Sequence, residues 1–202
     1  MSVRNFSRLE EANRILSDII FESKTKPWWI HVNALSNYVD WLYSHSINVA
    51  TISLMIASEL EYREEEMMNL GVAALLHDVG MLLVPKAILQ KEAPLTETEM
   101  ELVKQHCELG LSSLAGFDLP KEYMDVVLQH HERMDGSGYP KKLKGEVISY
   151  NARIVMVADA VDGITSSRPY KKARTMRQAI DILREEKKYA PELIGLAENV
   201  LL

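Results

Sequence analysis

Cysteine is nearly absent from this chain, whose 202 residues include only Cys107. One cysteine cannot form an internal disulfide, and such a chain fits a reducing compartment. Long apolar runs are absent as well, since no stretch approaches the ~18 residues that a membrane span needs. The first twenty residues carry Arg4, Glu10, Glu11 and Arg14, which do not fit a secretory signal. We therefore expect a cytoplasmic protein with no membrane span.

An excess of positive charge is also lacking, because the formal net charge is −6. An acidic protein is not expected to bind a nucleic-acid polymer, whose phosphates attract basic surfaces. Acidic residues are nevertheless missing between Asp162 and Asp181. Five cations lie in that interval: Arg168, Lys171, Lys172, Arg174 and Arg177. This basic segment suits either a small anionic ligand or a solvated helix face.

Helical periodicity runs through nearly the whole chain, and no segment of convincing length has the alternation of a strand. Three capping-box pairs predict helix starts: Ser7 with Glu10, Thr96 with Glu99, and Thr175 with Gln178. One helix is expected over residues 28–42, another from residue 96 towards residue 114, and Pro191 predicts the start of the last. The sequence therefore predicts an all-α fold. Residues 1–37 are interpreted as an N-terminal helical segment or connector, and residues 38–202 as the main domain.

The residues with chemical potential are histidines and aspartates at helix ends. His77 and Asp78 end one predicted helix, and His130 and His131 end another just before a glycine-rich turn. Asp159 lies in an apolar helical segment, where a carboxylate is costly to bury unless it is paired or bound to a cation. Packing alone does not account for such pairs. Together they predict a metal site.

The proposed ligand set also includes His45 and His106, each of which could be a packed or surface histidine if taken alone. Five imidazoles and two carboxylates exceed the four ligands of a tetrahedral zinc. They suit two six-coordinate divalent ions, iron or manganese above all, with a carboxylate bridging them. Two metals ~3.5–4 Å apart, with a bridging hydroxide as nucleophile, are a known arrangement for phosphate-ester hydrolysis.

Longer motifs carry a family resemblance. Residues 77–80 (HDVG) resemble the HD superfamily of metal-dependent phosphohydrolases. Residues 130–140 (HHERMDGSGYP) resemble the signature of its HD-GYP branch, as do residues 158–162 (ADAVD) and 168–171 (RPYK). The likeness covers about residues 38–190, in the order and spacing of the family. It implies an HD-type helical bundle with a metal site in its core, so that residues 38–202 form an HD-GYP catalytic domain.

The resemblance also implies a role for each matching residue. One metal is held by His45, His77, Asp78 and Asp159. Asp78 bridges to a second metal, which is completed by His106, His130 and His131. His77 and Asp78 are thus the catalytic centre. Asp162 and Glu132 are interpreted as groups that orient ligands, and Asp135 as a residue that stabilises a turn.

The same resemblance implies substrate contacts. In the family, the positions of Arg168 and Lys171 lie near the phosphates of bound cyclic di-GMP. Tyr139 could stack on a base or dock a partner domain. Two positions depart from the family pattern. The first is Met81, which replaces the usual lysine of the HD motif and removes one phosphate contact. Trp41 stands where some members carry a glutamate that recruits a third metal, so two metals are expected.

The function implied is hydrolysis of cyclic di-GMP to pGpG, with further hydrolysis to GMP left open, in bacterial second-messenger signalling. One alternative keeps the chemistry with another cyclic dinucleotide, such as 3′,3′-cGAMP. Another is a catalytically silent module that binds the nucleotide or docks a partner, which the neutral Met81 favours. As partners of the chain, the sequence suggests either a second copy in a homodimer or a signalling domain.

Overall fold

The computed structural model describes residues 3–167 and 172–202. Over these residues the chain is helical and has no strand, which confirms the all-α prediction for that part. Eleven α-helices occur in the described ranges: α1 Val3–Ser23, α2 Trp29–Tyr38, α3 Asp40–Glu59, α4 Glu64–Leu76, α5 Lys86–Leu89, α6 Glu97–Lys104, α7 His106–Leu114, α8 Lys121–Gln129, α9 Tyr150–Thr165, α10 Met176–Glu186 and α11 Pro191–Leu201. Short 3-10 turns cover Val79–Leu83 and Gly145–Val147.

Helix α3 is the centre of the bundle, because α1, α2, α4, α9 and α11 all pack against it. Its apolar residues occur on every side, as expected of a buried helix, and Leu42, Val49, Leu54 and Ile56 are fully buried. Burying each such side chain contributes ~1.5–3 kcal/mol. His45 lies one turn before Val49 and is only 4% exposed. The packing that stabilises the bundle therefore also carries a histidine into its core.

Helix α4 and the turn after it form a second buried segment. The stretch Glu64–Leu83 is long and apolar enough, by length and composition, to cross a membrane. In the bundle, however, 72% of that window is buried against other helices, as is typical of a core helix. Within it, α4 ends just before His77 and Asp78, and both residues are buried inside the protein.

Two helices expected to be continuous are each broken in the structure. The segment 28–42 divides at Val39, whose backbone is extended (φ −141°, ψ 131°) and whose side chain is buried. The helix expected from residue 96 towards residue 114 divides at Gln105, so that His106 begins α7. At Val39, burial of the side chain outweighs the local preference for helix. The break at Gln105 places His106 at the start of α7, where its side chain is buried.

The capping predictions were correct in two cases of three. Thr96 and Thr175 accept the backbone N–H groups of Glu99 and Gln178, as a capping box requires. The start predicted at Ser7 is wrong, because α1 begins at Val3 and Ser7 lies within it. No proline or glycine precedes Ser7 in the described residues, so the helix extends one turn further back.

Residues 1–37 do not stand apart from the bundle in the described part of the chain. Helix α1 packs against α3, α4 and α11, and α2 packs against α3. The division into residues 1–37 and 38–202 stays a prediction.

Candidate metal centre

Seven predicted ligands come together in the middle of the bundle, drawn from five segments. They are His45 of α3, His77 and Asp78 after α4, His106 of α7, His130 and His131 after α8, and Asp159 of α9. Side-chain exposure is 0–4% for five of them, 11% for Asp159 and 18% for His131. Polar groups buried to this degree are costly unless each is paired with a charge, a hydrogen-bond partner or a cation.

Backbone carbonyls determine which nitrogen of three histidine rings carries the hydrogen. Each Nδ1 donates to a carbonyl in the preceding turn: His77 to Ala74 (2.7 Å), His106 to Val103 (2.7 Å) and His130 to Val127 (3.0 Å). A carbonyl oxygen can only accept, so in the neutral ring the lone pair lies on Nε2. This is the arrangement by which proteins orient metal-binding imidazoles.

These lone pairs converge on the Asp78 carboxylate. The Nε2 atoms of His106 and His130 lie 3.2 and 3.6 Å from Asp78 Oδ1, and His77 Nε2 lies 3.5 Å from Oδ2. His77 Nε2 and Asp78 Oδ1 are buried and have no hydrogen-bond partner. Candidate ligand atoms of Asp78, His106, His130 and His131 all lie within 4.8 Å of one another. A buried cluster in which the lone pairs of three imidazoles meet a carboxylate fits a cation.

A second group shares Asp78 and contains His45 and His77. His45 Nε2 lies 3.2 Å from Asp159 Oδ1 and 3.6 Å from Asp78 Oδ2. Its Nδ1 donates to Asp162 Oδ2 at 2.6 Å, so a carboxylate orients this ring where carbonyls orient the others. Asp78 is therefore the carboxylate common to both groups, as a bridging ligand must be.

The charges of the cluster follow from burial and from these contacts. Burial lowers the pKa of His106 to about 4, and it keeps the pKa of His131 well below the usual value, so both rings are neutral. Burial alone would lower the pKa of His45 as well, but hydrogen bonds to Asp159 and Asp162 raise it to about 9. Burial opposes ionisation of Asp78, yet the surrounding histidines hold its pKa well below the ordinary range.

Gly80 allows the turn that follows His77 and Asp78 to approach α7 closely. A Cβ atom on Gly80 would overlap the carbonyl oxygen of His106 and the backbone N of Gly110. Backbone cannot move aside as a flexible side chain can. Gly80 therefore lets the turn that carries Asp78 lie directly against the helix that carries His106.

The glycine-rich loop after His131 is held against the metal centre by backbone contacts. A Cβ atom on Gly138 would overlap Glu132 Cα, and Tyr139 donates its backbone N–H to the His131 carbonyl at 3.1 Å. The buried Glu132 carboxylate accepts the backbone N–H groups of Lys141 (2.7 Å) and Leu143 (2.9 Å). Glu132 therefore acts on the loop and does not touch a ligand side chain through these bonds.

Tyr139 lies between the ligands and solvent. Its ring centroid is 4.8 Å from that of His131 and 6.4 Å from that of His106. Tyr139 and Lys104 both line a cavity of about 500 Å³. Asp135, in the same loop, accepts the backbone N–H of Ser137, as a turn-stabilising residue would.

Two predicted substrate contacts, Arg168 and Lys171, lie outside the described residues. Met81 is 6% exposed and belongs to the hydrophobic core. The sequence reasoning missed Asn48 and Ser166, which donate to Asp162 Oδ1 at 2.8 and 2.7 Å. The only available signal was weak: Asn48 follows His45 by three residues, and three-residue spacing places two residues on one helix face.

Fold and site together define an all-helical protein with a buried histidine–aspartate cluster able to hold metal. The chain belongs to the HD domain family, which matches residues 30–193. The family resemblance seen in the sequence is thereby confirmed.

Relatives with curated names are cyclic dinucleotide phosphodiesterases. A cyclic di-GMP phosphodiesterase of Pseudomonas aeruginosa is 40% identical over 162 residues, covering 77% of this chain and 39% of the relative. The cyclic di-GMP phosphodiesterase response regulator RpfG of Xanthomonas campestris is 44% identical over 133 residues, covering 64% of this chain and 35% of the relative. Relatives in Vibrio cholerae named 3′3′-cGAMP-specific phosphodiesterases match at 32–34% identity. The chain thus spans less than half the length of these relatives.

The fold is shared with solved structures. Bd1817, an HDG"Y"P protein of Bdellovibrio bacteriovorus, superposes with a TM-score of 0.68 over 96% of this chain and 64% of that chain. Sequence identity is 21%, so this likeness concerns the fold alone.

Proposed function

We propose that this chain is a metal-dependent phosphodiesterase of the cytoplasm that hydrolyses cyclic di-GMP to pGpG. The observation that carries the proposal is the convergence of the oriented Nε2 atoms of His77, His106 and His130 on one buried carboxylate, Asp78. The names of the relatives in Pseudomonas and Xanthomonas support cyclic di-GMP as the substrate.

The donor set favours two divalent ions, iron or manganese, because it consists of imidazoles and carboxylates. The first would be held by His45, His77, Asp78 and Asp159, and the second by Asp78, His106, His130 and His131. Metals in such a pair make water nucleophilic near neutral pH and stabilise negative charge on phosphoryl oxygens.

The protein's own groups orient the ligands and limit the access of bulk water. Carbonyls and Asp162 hold the rings of four ligand histidines, and the surrounding apolar helices bury most of the cluster. We propose His77 and Asp78 as the catalytic centre. Asp78 belongs to both groups of ligands, so its carboxylate would keep the distance between the two metal positions constant. Arg168 and Lys171 would neutralise the phosphates of the substrate.

A second substrate is favoured by one observation, the relatives in Vibrio cholerae named as specific for 3′3′-cGAMP. The metal chemistry would be unchanged, because the scissile bond is again a phosphodiester. Only the contacts to one of the two bases would differ.

The test is metal analysis of the purified chain together with hydrolysis of cyclic di-GMP, 3′,3′-cGAMP and cyclic di-AMP, with products separated by chromatography. We expect metal to copurify and cyclic di-GMP to be cleaved fastest. Asp78→Ala should abolish both metal loading and turnover, whereas Asp181→Ala, at an exposed position on α10, should change neither. Full metal loading with no turnover of any cyclic dinucleotide would contradict the enzymatic function and favour a silent binding module.

A further inference from the structure

His131 is held in the metal centre differently from the other four ligand histidines. Those four rings donate Nδ1 to backbone carbonyls or to Asp162. The Nδ1 atom of His131 lies 3.5 Å from Asp159 Oδ2, and no backbone carbonyl among the described residues accepts a hydrogen bond from this ring. Its side chain is also the most exposed of the seven ligands. The place of His131 in the site therefore depends mainly on the backbone of the turn that follows α8.

The Arg133 side chain holds this backbone on both sides of His131. Its Nη1 donates to the carbonyl of Glu132 at 2.7 Å and, over a longer 3.4 Å, to the carbonyl of His130. The last carbonyls of a helix have no partner within it, and the negative end of the helix dipole favours a cation there. One guanidinium nitrogen thus connects the carbonyl groups of the residues before and after the ligand.

A second turn of the chain supports Arg133. Its guanidinium carbon Cζ lies 5.0 Å from the ring centroid of Tyr189, between α10 and α11, which is within cation–π distance. The Tyr189 side chain is buried and belongs to the hydrophobic core. The neighbouring Met134 donates its backbone N–H to the Lys188 carbonyl at 2.9 Å. Two consecutive residues of the metal-bearing turn are therefore held by two consecutive residues of the α10–α11 turn.

The charge of Arg133 is directed at carbonyls and an aromatic ring. Among the described residues it makes no ion pair with a carboxylate, whereas Arg14, Arg153 and Arg184 each pair with an aspartate or a glutamate. A guanidinium can contact an aromatic face while its edge donates hydrogen bonds to other groups. The contacts of Arg133 thus orient backbone and do not neutralise an acid.

We propose that Arg133, supported by Tyr189, is a positioning residue for His131. By holding the backbone of this turn, it sets the affinity of the metal position formed by Asp78, His106, His130 and His131. No residue of the turn belongs to the other metal position, which is formed by His45, His77, Asp78 and Asp159. Groups that orient metal ligands typically contribute a factor of ~10–100 in metal affinity. This inference rests on the metal centre of the proposed function.

The test is a calorimetric titration of the metal-free full chain with Mn²⁺ under anaerobic conditions. Electron paramagnetic resonance distinguishes a coupled pair of ions from isolated ions. The unaltered chain should bind two ions. In Arg133→Met, which keeps an unbranched side chain without its donors, one dissociation constant should rise about tenfold or more and the other less than about threefold. The coupled signal should then require a higher Mn²⁺ concentration.

A double-mutant cycle identifies the ligand through which Arg133 acts. His131→Ala should weaken the same ion as Arg133→Met. In the His131→Ala background, Arg133→Met should raise that dissociation constant less than about threefold, because the effects of two residues that act through one contact do not add. A merely structural role of Arg133 would leave its effect undiminished in this background.

Three further variants complete the experiment. Tyr189→Leu removes the aromatic support and should weaken the same ion, so it also tests the proposal if Arg133→Met does not fold. Tyr189→Phe keeps the ring face and should weaken it less than Tyr189→Leu does. Arg14→Met removes two surface ion pairs on α1 and should leave both constants unchanged. Circular dichroism and Tm are measured on every metal-free variant.

Unchanged constants in Arg133→Met and Tyr189→Leu, or an equal loss at both metal positions, would overturn the positioning role. An undiminished effect of Arg133→Met in the His131→Ala background would overturn it as well. An unaltered chain that binds two ions as expected and yet cleaves no cyclic dinucleotide would overturn the proposed function and leave the role of Arg133 intact. An unaltered chain that binds no Mn²⁺ would overturn both.

Discussion

The Nε2 atoms of His106 and His130 lie 3.1 Å apart, although each ring has already donated its Nδ1 hydrogen to a backbone carbonyl. In neutral rings these two nitrogens both present lone pairs, and Asp78 adds a carboxylate oxygen beside them. Such an arrangement is unfavourable by itself and becomes favourable when a cation lies among the acceptors. We therefore expect the stability of this cluster to depend on bound metal.

Removing metal should therefore destabilise the protein. A ligand bound at a thousand times its dissociation constant contributes ~4 kcal/mol to folding. In a chain of this size, that corresponds to a fall in Tm of ~8–16 °C on chelation. Differential scanning calorimetry before and after chelation, and after reloading with manganese or iron, measures the change. A Tm that does not respond to chelator would contradict the interpretation of the cluster as a metal site.

Metal binding should release a proton from His45. In the metal-free protein the pKa of His45 is raised to about 9, so the ring is protonated at pH 7.5, whereas a ligand imidazole must be neutral. Protons therefore compete with metal below pH 9, and apparent affinity should increase with pH up to that value. Calorimetry at pH 7.5 in two buffers of different ionisation enthalpy counts the protons released. Asp162→Asn removes a negative charge that raises the pKa of His45, so this variant should release fewer protons when metal binds. Release of as many protons as from the unaltered chain would refute the interpretation that His45 is protonated in the metal-free protein.

Glu132 should stabilise the glycine-rich loop independently of metal. Glu132→Ala would leave the backbone N–H groups of Lys141 and Leu143, which are partly buried, without their acceptor. A hydrogen bond to a charged group contributes ~1.5–3 kcal/mol, so for the two bonds together we expect a loss of ~3–6 kcal/mol in urea denaturation of the metal-free chain. Hydrogen exchange at those two amides should become faster. Glu185→Ala, at an exposed position on α10, is the matched control, and equal stability of the two variants would show that the Glu132 carboxylate is unimportant.

Two glycines should differ in their response to the same substitution, because only one of them lies against other backbone. Gly138→Ala forces a Cβ atom against the backbone of Glu132, whereas Gly116→Ala meets no heavy atom within 4 Å. Overpacking of this kind costs ~1–3 kcal/mol or more, which lowers Tm by several degrees. Gly116→Ala should leave Tm within about a degree. Thermal denaturation of both variants measures the difference, and similar Tm values would contradict the close approach of the loop to residues 132–133.

Much of the fold could be predicted because its signals are local. The caps at Thr96 and Thr175 and the start at Pro191 depend on a few adjacent residues, and all three are present. The breaks at Val39 and Gln105 were not predicted, because each results from packing against distant helices. The start at Ser7 failed for a different reason: a capping pattern permits a helix start and does not prevent an earlier one.

By itself, the sequence determined the chemistry available to this protein: five imidazoles and two carboxylates in the order and spacing of a phosphohydrolase. Residue type decides what can bind a metal, and type is read directly from the chain. Only the tertiary structure decided which ring nitrogens face inward, and that Asp162 holds His45 across a separation of 117 positions. Those features depend on how α3 packs against α9, a relationship between helices that no local pattern encodes.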